Sequence, residues 1–227
     1  MLSRAPAVVL VIAPHPDDEV LGVGGTIARM ITEGARVVVA VVTKGGPPLF
    51  SEESVAQGRE EAARAHALLG VAETIYLDFP AARLDTVPHG DLNAKLCDLV
   101  QRLAPGTVFV PYRGDLHRDH QLVFESCLVA TRPIGDSYPR EVLAYETLSE
   151  TNWNAACAAA PFAPNVYVDI SDHLRTKLAA LECYESQLKA FPDERSVEAV
   201  RALAALRGAT VSVAAAEAFV LVREVLR

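Results

Sequence analysis

Three stretches of this chain run without a polar side chain: Val8-Val9-Leu10-Val11-Ile12, Val37-Val38-Val39-Ala40-Val41-Val42 and Val108-Phe109-Val110. Strands of that kind are buried on both faces, the condition of a parallel sheet covered by helices on each side. Segments with helical spacing lie between them. Residues 24–33 carry Ile27, Ala28 and Ile31, and residues 51–69 are opened by Ser51 or Ser54 and closed by Gly70. Residues 91–103 place Leu92, Leu96, Leu99, Val100 and Leu103 on one face before Pro105-Gly106. With strands at 74–79 and 107–112, strand is followed by helix four times. This predicts an α/β fold: a Rossmann-like, mostly parallel sheet with helices on both faces. Beyond Pro133 the pattern loosens, with strands expected at 142–147 and 165–170. A helix is expected from Ser171 or Asp172 to about Leu188, and another at 196–206, ended by Gly208. A chain of 227 residues with no repeat or linker suits one domain, residues 1–227.

Composition narrows the partners. A net charge of −8 offers no basic patch to neutralise phosphates, so neither nucleic acid nor an anionic membrane is expected. Cys97, Cys127, Cys157 and Cys183 stand singly in apolar contexts and read as reduced core thiols of a cytoplasmic protein. No stretch reaches the length of a membrane span. The apolar run at 7–13 lacks the flanks of a signal peptide.

Chemistry gathers in two loops. Ala13-Pro14-His15-Pro16-Asp17-Asp18-Glu19 follows the first strand, and the two prolines restrict His15 to an extended backbone. Arg113-Gly114-Asp115-Leu116-His117-Arg118-Asp119-His120-Gln121 follows the fourth, with two histidines three apart at the start of a helix and so on one face. Ligands of open α/β sheets bind outside the carboxyl ends of strands. A dinucleotide is not the expected one, because Gly22, Gly24 and Gly25 come late and behind carboxylates that would repel a pyrophosphate. Two histidines and a carboxylate with one position left to water make an open catalytic zinc site, which His15, Asp18 and His120 fit. Imidazole in both loops favours Zn2+, or Fe2+ or Co2+ in its place, over Mg2+.

His15-Pro16-Asp17-Asp18-Glu19 followed by His117-x-x-His120 resembles the signature of the LmbE-like (PIG-L) zinc-dependent N-acetylglucosaminyl deacetylases. The likeness extends through Gly24-Gly25-Thr26, residues 61–70, Tyr184-x-Ser186-Gln187, Arg195-Ser196 and Ala216-Glu217-Ala218-Phe219. It implies that His15, Asp18 and His120 hold the zinc and that Asp17 is the general base. It also implies that His117 stabilises the oxyanion and that Asp119 keeps His117 protonated and oriented. The implied substrate is a small N-acylated amino sugar or glycoconjugate, and the implied assembly a homo-oligomer, trimer or hexamer. Gly58 stands where many members carry Arg, with Arg59 beside it, and the loop after the third strand offers Arg83 and Asp85. Asp193 stands where His is expected.

Arg59, Arg83 and Asp115 are the candidate substrate contacts, although Asp115 reads equally as a turn cap and Arg59 as a solvated helix charge. Glu19 is placed behind the metal ligands, compensating the helix dipole. Glu217 is expected to pair with a buried arginine or bond a loop. His66, His89 and His173 read as surface or core residues, and Trp153 and Tyr145 as core. The alanine-rich segment 202–218 suggests a buried surface between subunits. Two other functions fit the same residues: a metal-dependent hydratase of a small unsaturated carboxylic acid, and a non-catalytic metal-binding protein.

Overall fold

The computed structural model describes residues 8–135, 137–155 and 160–226; Cys157 lies outside them. The chain runs β1 (Val8–Ala13), α1 (Asp18–Thr32), β2 (Arg36–Lys44), α2 (Glu52–Leu69), β3 (Glu73–Pro80), α3 (His89–Leu103), β4 (Thr107–Pro111) and α4 (Arg118–Ala130). It continues with β5 (Glu141–Tyr145), β6 (Val166–Asp169), α5 (Leu174–Glu182), α6 (Val197–Thr210) and β7 (Ala216–Glu224). The seven strands form one sheet in the order β3-β2-β1-β4-β5-β7-β6. Strands β3 to β5 are mutually parallel, and β7 is antiparallel to both of its neighbours. This is the mostly parallel α/β sheet that the alternating pattern predicts.

The apolar runs are strands because every second residue serves a different core. Val9, Val11, Val37, Val39 and Val41 face α1, α2, α5 and α6. Leu10, Ile12, Val38, Ala40 and Val42 face α3 and α4. Each such side chain, fully removed from water, contributes about 1.5–3 kcal/mol. Strand order reverses between β1 and β4, so their carboxyl ends flank a crevice. Both chemically loaded loops open there.

Several boundaries differ from expectation for identifiable reasons. Helix α1 starts at Asp18 rather than Gly24, so Asp18 and Glu19 lie in its first turn, where their charge opposes the helix dipole. The glycines that disguise this turn are packing residues. A Cβ on Gly22 would collide with the Tyr145 ring, and one on Gly25 would lie 2.7 Å from Ile170. Helix α4 begins at Arg118, with His117 as its cap. Helix α5 stops at Glu182 because Tyr184 turns into the core and Ser186 donates its N–H and hydroxyl to Glu61 (2.9 and 2.6 Å). Helix α6 passes through Gly208 to Thr210.

The alanine-rich segment is covered only in part by its own chain: Leu206 and Val211 are exposed, while Ala204 and residues 215–218 are buried. Ala204 packs from α6, while Ala216 and Ala218 belong to β7, which sequence periodicity does not disclose. Of the described cysteines, Cys127 is buried, whereas Cys97 and Cys183 are only partly covered; all three are free thiols. Among the described residues no helix is long and apolar enough to cross a membrane.

Glu217 pairs with a lysine rather than an arginine. It accepts from the Gly25 and Thr26 N–H groups (2.9 and 2.7 Å) and from Lys177 Nζ (2.6 Å). Lys177 also donates to the Leu21 carbonyl at 2.7 Å. Both charges are buried, so removing one strands the other. Lys177→Met is expected to lower unfolding free energy by about 3 kcal/mol in a urea titration.

Candidate active site at the strand-order reversal

Loop β1–α1 delivers His15, Asp17 and Asp18, and the turn into α4 delivers Asp115, His117, Asp119 and His120. His15 Nδ1, Asp18 Oδ2 and His120 Nε2 face one another at 3.2–3.3 Å. Four-coordinate zinc with bonds near 2.0–2.1 Å sets its ligand atoms about 3.3 Å apart, so this triangle matches one face of that tetrahedron. Asp18 Oδ1 is buried without a hydrogen-bond partner among the described residues. The residues present therefore fit the ion that the donor set suggests.

Each imidazole of the triangle has a carboxylate behind it. His120 Nδ1 lies 2.8 Å from Asp115 Oδ2, and His15 Nε2 lies 3.1 Å from Asp119 Oδ2. Carboxylates accept only, so these contacts place a proton on the outer nitrogen and leave the inner one free to bind a cation. Both carboxylates are themselves held. Asp115 accepts from Thr151 Oγ1 at 2.6 Å, and Asp119 from the Ala82 and Leu84 N–H groups at 2.7 and 3.2 Å.

The charges report what the pocket prefers. Burial works against protonated imidazole, yet Asp119 and Asp18 hold the His15 ring up at about 9. Burial is likewise outweighed at His120, where Asp18 and Asp115 raise the ring to about 10. Burial alone would raise Asp18, but His120 and His15 keep it well below the usual carboxylate range. The pocket is built to retain positive charge.

His117 behaves differently from its neighbours. Its Nδ1 accepts the Asp119 N–H at 3.1 Å and stands 4.0 Å from that residue's carboxylate. Burial, then repulsion from His15, lowers the ring to about 4. The geometry differs from the expected Asp119–His117 pairing: the Asp119 carboxylate bonds His15, while His117 Nδ1 accepts the Asp119 N–H, which leaves a ring proton on Nε2.

Asp17 is buried in a left-handed backbone conformation, φ 105°. Arg195 Nη1 donates to its Oδ2 at 2.6 Å and Arg195 Nε to Ser149 Oγ at 2.9 Å. Burial, with Asp18 and Glu19, raises the Asp17 carboxyl to about 7 against the opposing pull of Arg195. Arg195 is the residue a site-directed reading of the sequence misses. It stands 178 positions from Asp17, and its only sequence signal is the Arg195-Ser196 pair.

Of the candidate substrate contacts, Asp115 is fully buried behind His120 and cannot reach a substrate. Arg59 ion-pairs with Asp78, stacks over Tyr76 at 4.5 Å, and lines a cleft of about 580 Å³ with Lys44, Phe50 and Val55. Arg83 is exposed, on the backbone between the two residues whose N–H groups grip Asp119. Trp153, expected in the core, is 57% exposed. Tyr145 is core as expected, donating its hydroxyl to the Ile12 carbonyl at 2.9 Å.

Known proteins share this architecture. The chain is 31% identical to an uncharacterized deacetylase, YaiS, of Escherichia coli, over 78% of this chain and 90% of that one. It is 30% identical to the diacetylchitobiose deacetylase of Thermococcus kodakarensis, over 82% of this chain and 71% of that one. The crystal structure of the conserved protein TT1542 of Thermus thermophilus superposes with a TM-score of 0.78 at 31% identity, covering 96% of each chain. The sequence model of the PIG-L family, described as GlcNAc-PI de-N-acetylase, matches residues 10–131, which contain both loaded loops. The chain belongs to the PIG-L (LmbE-like) family.

Proposed function

We propose that this protein is a metal-dependent amide hydrolase that removes an N-acetyl group from an amino-sugar-containing small molecule or glycoconjugate. The observation that carries this reading is the triangle of His15, Asp18 and His120, whose imidazoles are each backed by a carboxylate. The deacetylases among its relatives support the choice of substrate class. His15, Asp18 and His120 would hold zinc, or Fe2+ or Co2+ in its place, which supplies Lewis-acid polarisation of water and of the acetamide carbonyl.

The rest of the reaction falls to the chain's own groups. Asp17, kept dry and aimed by Arg195, takes a proton from the attacking water as the new C–O bond forms. His117 donates its Nε2 proton in a hydrogen bond to the carbonyl oxygen as charge develops there. When the C–N bond breaks, Asp17 returns its proton to the amine, and acetate and a free amino sugar leave. Asp115 and Asp119 do no proton chemistry; they fix the ligand rings. Arg83, at the rim beside Asp119, contacts the substrate.

The first test pairs elemental analysis with acetate release from a panel of N-acetylated amino sugars. About one zinc per chain is expected, lost together with activity in His120→Ala. Asp17→Asn should keep the metal and lose about 10²–10⁴-fold in kcat. A metal-loaded wild-type protein that releases no acetate from any of them overturns the assignment.

Two further variants separate the remaining roles. His117→Ala is expected to cost about 10²-fold in kcat with metal content unchanged. Arg83→Ala should raise KM several-fold and leave kcat within about twofold; a kcat loss without a KM change would remove it from substrate binding.

A further inference from the structure

Asp17 is bent into a conformation that a side chain with a Cβ rarely adopts, φ 105° and ψ −28°. Such a residue is strained and persists only where its surroundings over-determine it. Three sets of contacts do so. Its carbonyl accepts from the Val20 and Leu21 N–H groups at 3.0 and 2.9 Å, which is ordinary helix initiation. Its carboxylate is held by Arg195. Its own N–H, which fixes the peptide plane entering from Pro16, donates to Glu19 Oε2 at 3.2 Å.

Glu19 is not an ordinary first-turn glutamate. One that merely opposed the helix dipole would do so from solvent without desolvation, whereas Glu19 is fully buried. Its Oε1 accepts from the Tyr184 hydroxyl at 2.5 Å and from His66 Nε2 at 3.1 Å. The carboxylate accepts only, so the His66 proton sits on Nε2, and Nδ1, 2.7 Å from Thr74 Oγ1, accepts from that hydroxyl. The two donors to Oε1 therefore come from α2 and the turn after α5, and β3 supports the first of them through Thr74.

We infer that Glu19, His66 and Tyr184 form a positioning unit that holds the strained Asp17 backbone and thereby the direction of its carboxylate. The unit touches neither the metal ligands' donor atoms nor a substrate. It acts through Asp17, and so rests on the reading of Asp17 as the proton acceptor.

The test uses Tyr184→Phe and Glu19→Gln in the metal-loaded protein. Tyr184→Phe removes one donor without changing volume and keeps the test open if Glu19→Gln does not fold. The expected result for each is a kcat at least tenfold lower, with KM and metal content within twofold of wild type. In an Asp17→Asn background the same changes should cost nothing further, because the group they position is gone. Independently of activity, amide hydrogen exchange at Asp17 should accelerate at least tenfold in Tyr184→Phe, while Thr26, anchored to Glu217, stays protected.

An unchanged kcat in Tyr184→Phe, or an equal loss with and without the Asp17 carboxylate, overturns the proposal. So does unaltered exchange at Asp17. Should Asp17→Asn itself keep full activity, the catalytic reading of Asp17 fails, and the exchange measurement still decides whether the unit holds its backbone.

Discussion

A carboxylate taken out of water must find partners there, and one crevice of this fold takes in Asp17, Asp18, Glu19, Asp115 and Asp119. Four of them are supplied by the protein in full: Asp17 by Arg195, Glu19 by His66 and Tyr184, Asp115 by His120 and Thr151, and Asp119 by His15 and two backbone amides. Among the described residues Asp18 is answered only by imidazoles and a single backbone N–H, with one oxygen left without a hydrogen bond. The local field therefore demands a cation between two strands whose order reverses at that point. The placement of β1 beside β4 and the clasp on α1 both bear on where that demand falls.

The difference between His117 and His120 follows from the same field. The two rings stand three residues apart on one helix turn, with centroids 5.6 Å apart. One has two carboxylates against it; the other has a backbone amide at Nδ1, the Asp119 carboxylate no nearer than 4.0 Å, and His15 beside it. A neutral imidazole next to a cation site is a hydrogen-bond donor rather than a competing charge. The motif spacing brings the pair together, but the neighbours divide the labour.

The central half of the sheet is legible in the sequence because parallel strands buried on both faces have no polar alternation to confuse the reading. The grouping of His15, Asp18 and His120 is legible because its members lie at the ends of two such strands. What escapes is decided by contacts across the chain. The first turn of α1 hides behind glycines whose smallness answers to Tyr145 and Ile170, far away in sequence. Asp119 follows His117 by two residues, yet its side chain reaches His15 instead, a matter of a 3.1 Å against a 4.0 Å separation that no spacing rule contains. Arg195 and Lys177 meet their carboxylates only in the folded chain. Strand β7 is missed because its start, Ala216-Glu217-Ala218, continues an alanine-rich run, even though Phe219-Val220-Leu221-Val222 carries the composition of a strand.

That strand has a consequence for how the molecule comes into being. β7 is the last strand along the chain, yet it is sewn between β5 and β6 rather than added at an edge. Glu217 on it clasps the backbone of α1, the helix that carries Asp18. A chain emerging from the ribosome can lay down β1 to β5 in order, but β6 has no strand to pair with and the first helix stays unclasped until residues 216–224 have been made. The placing of the helix that carries Asp18 thus waits on residues 216–224, which lie about 200 positions further along the chain.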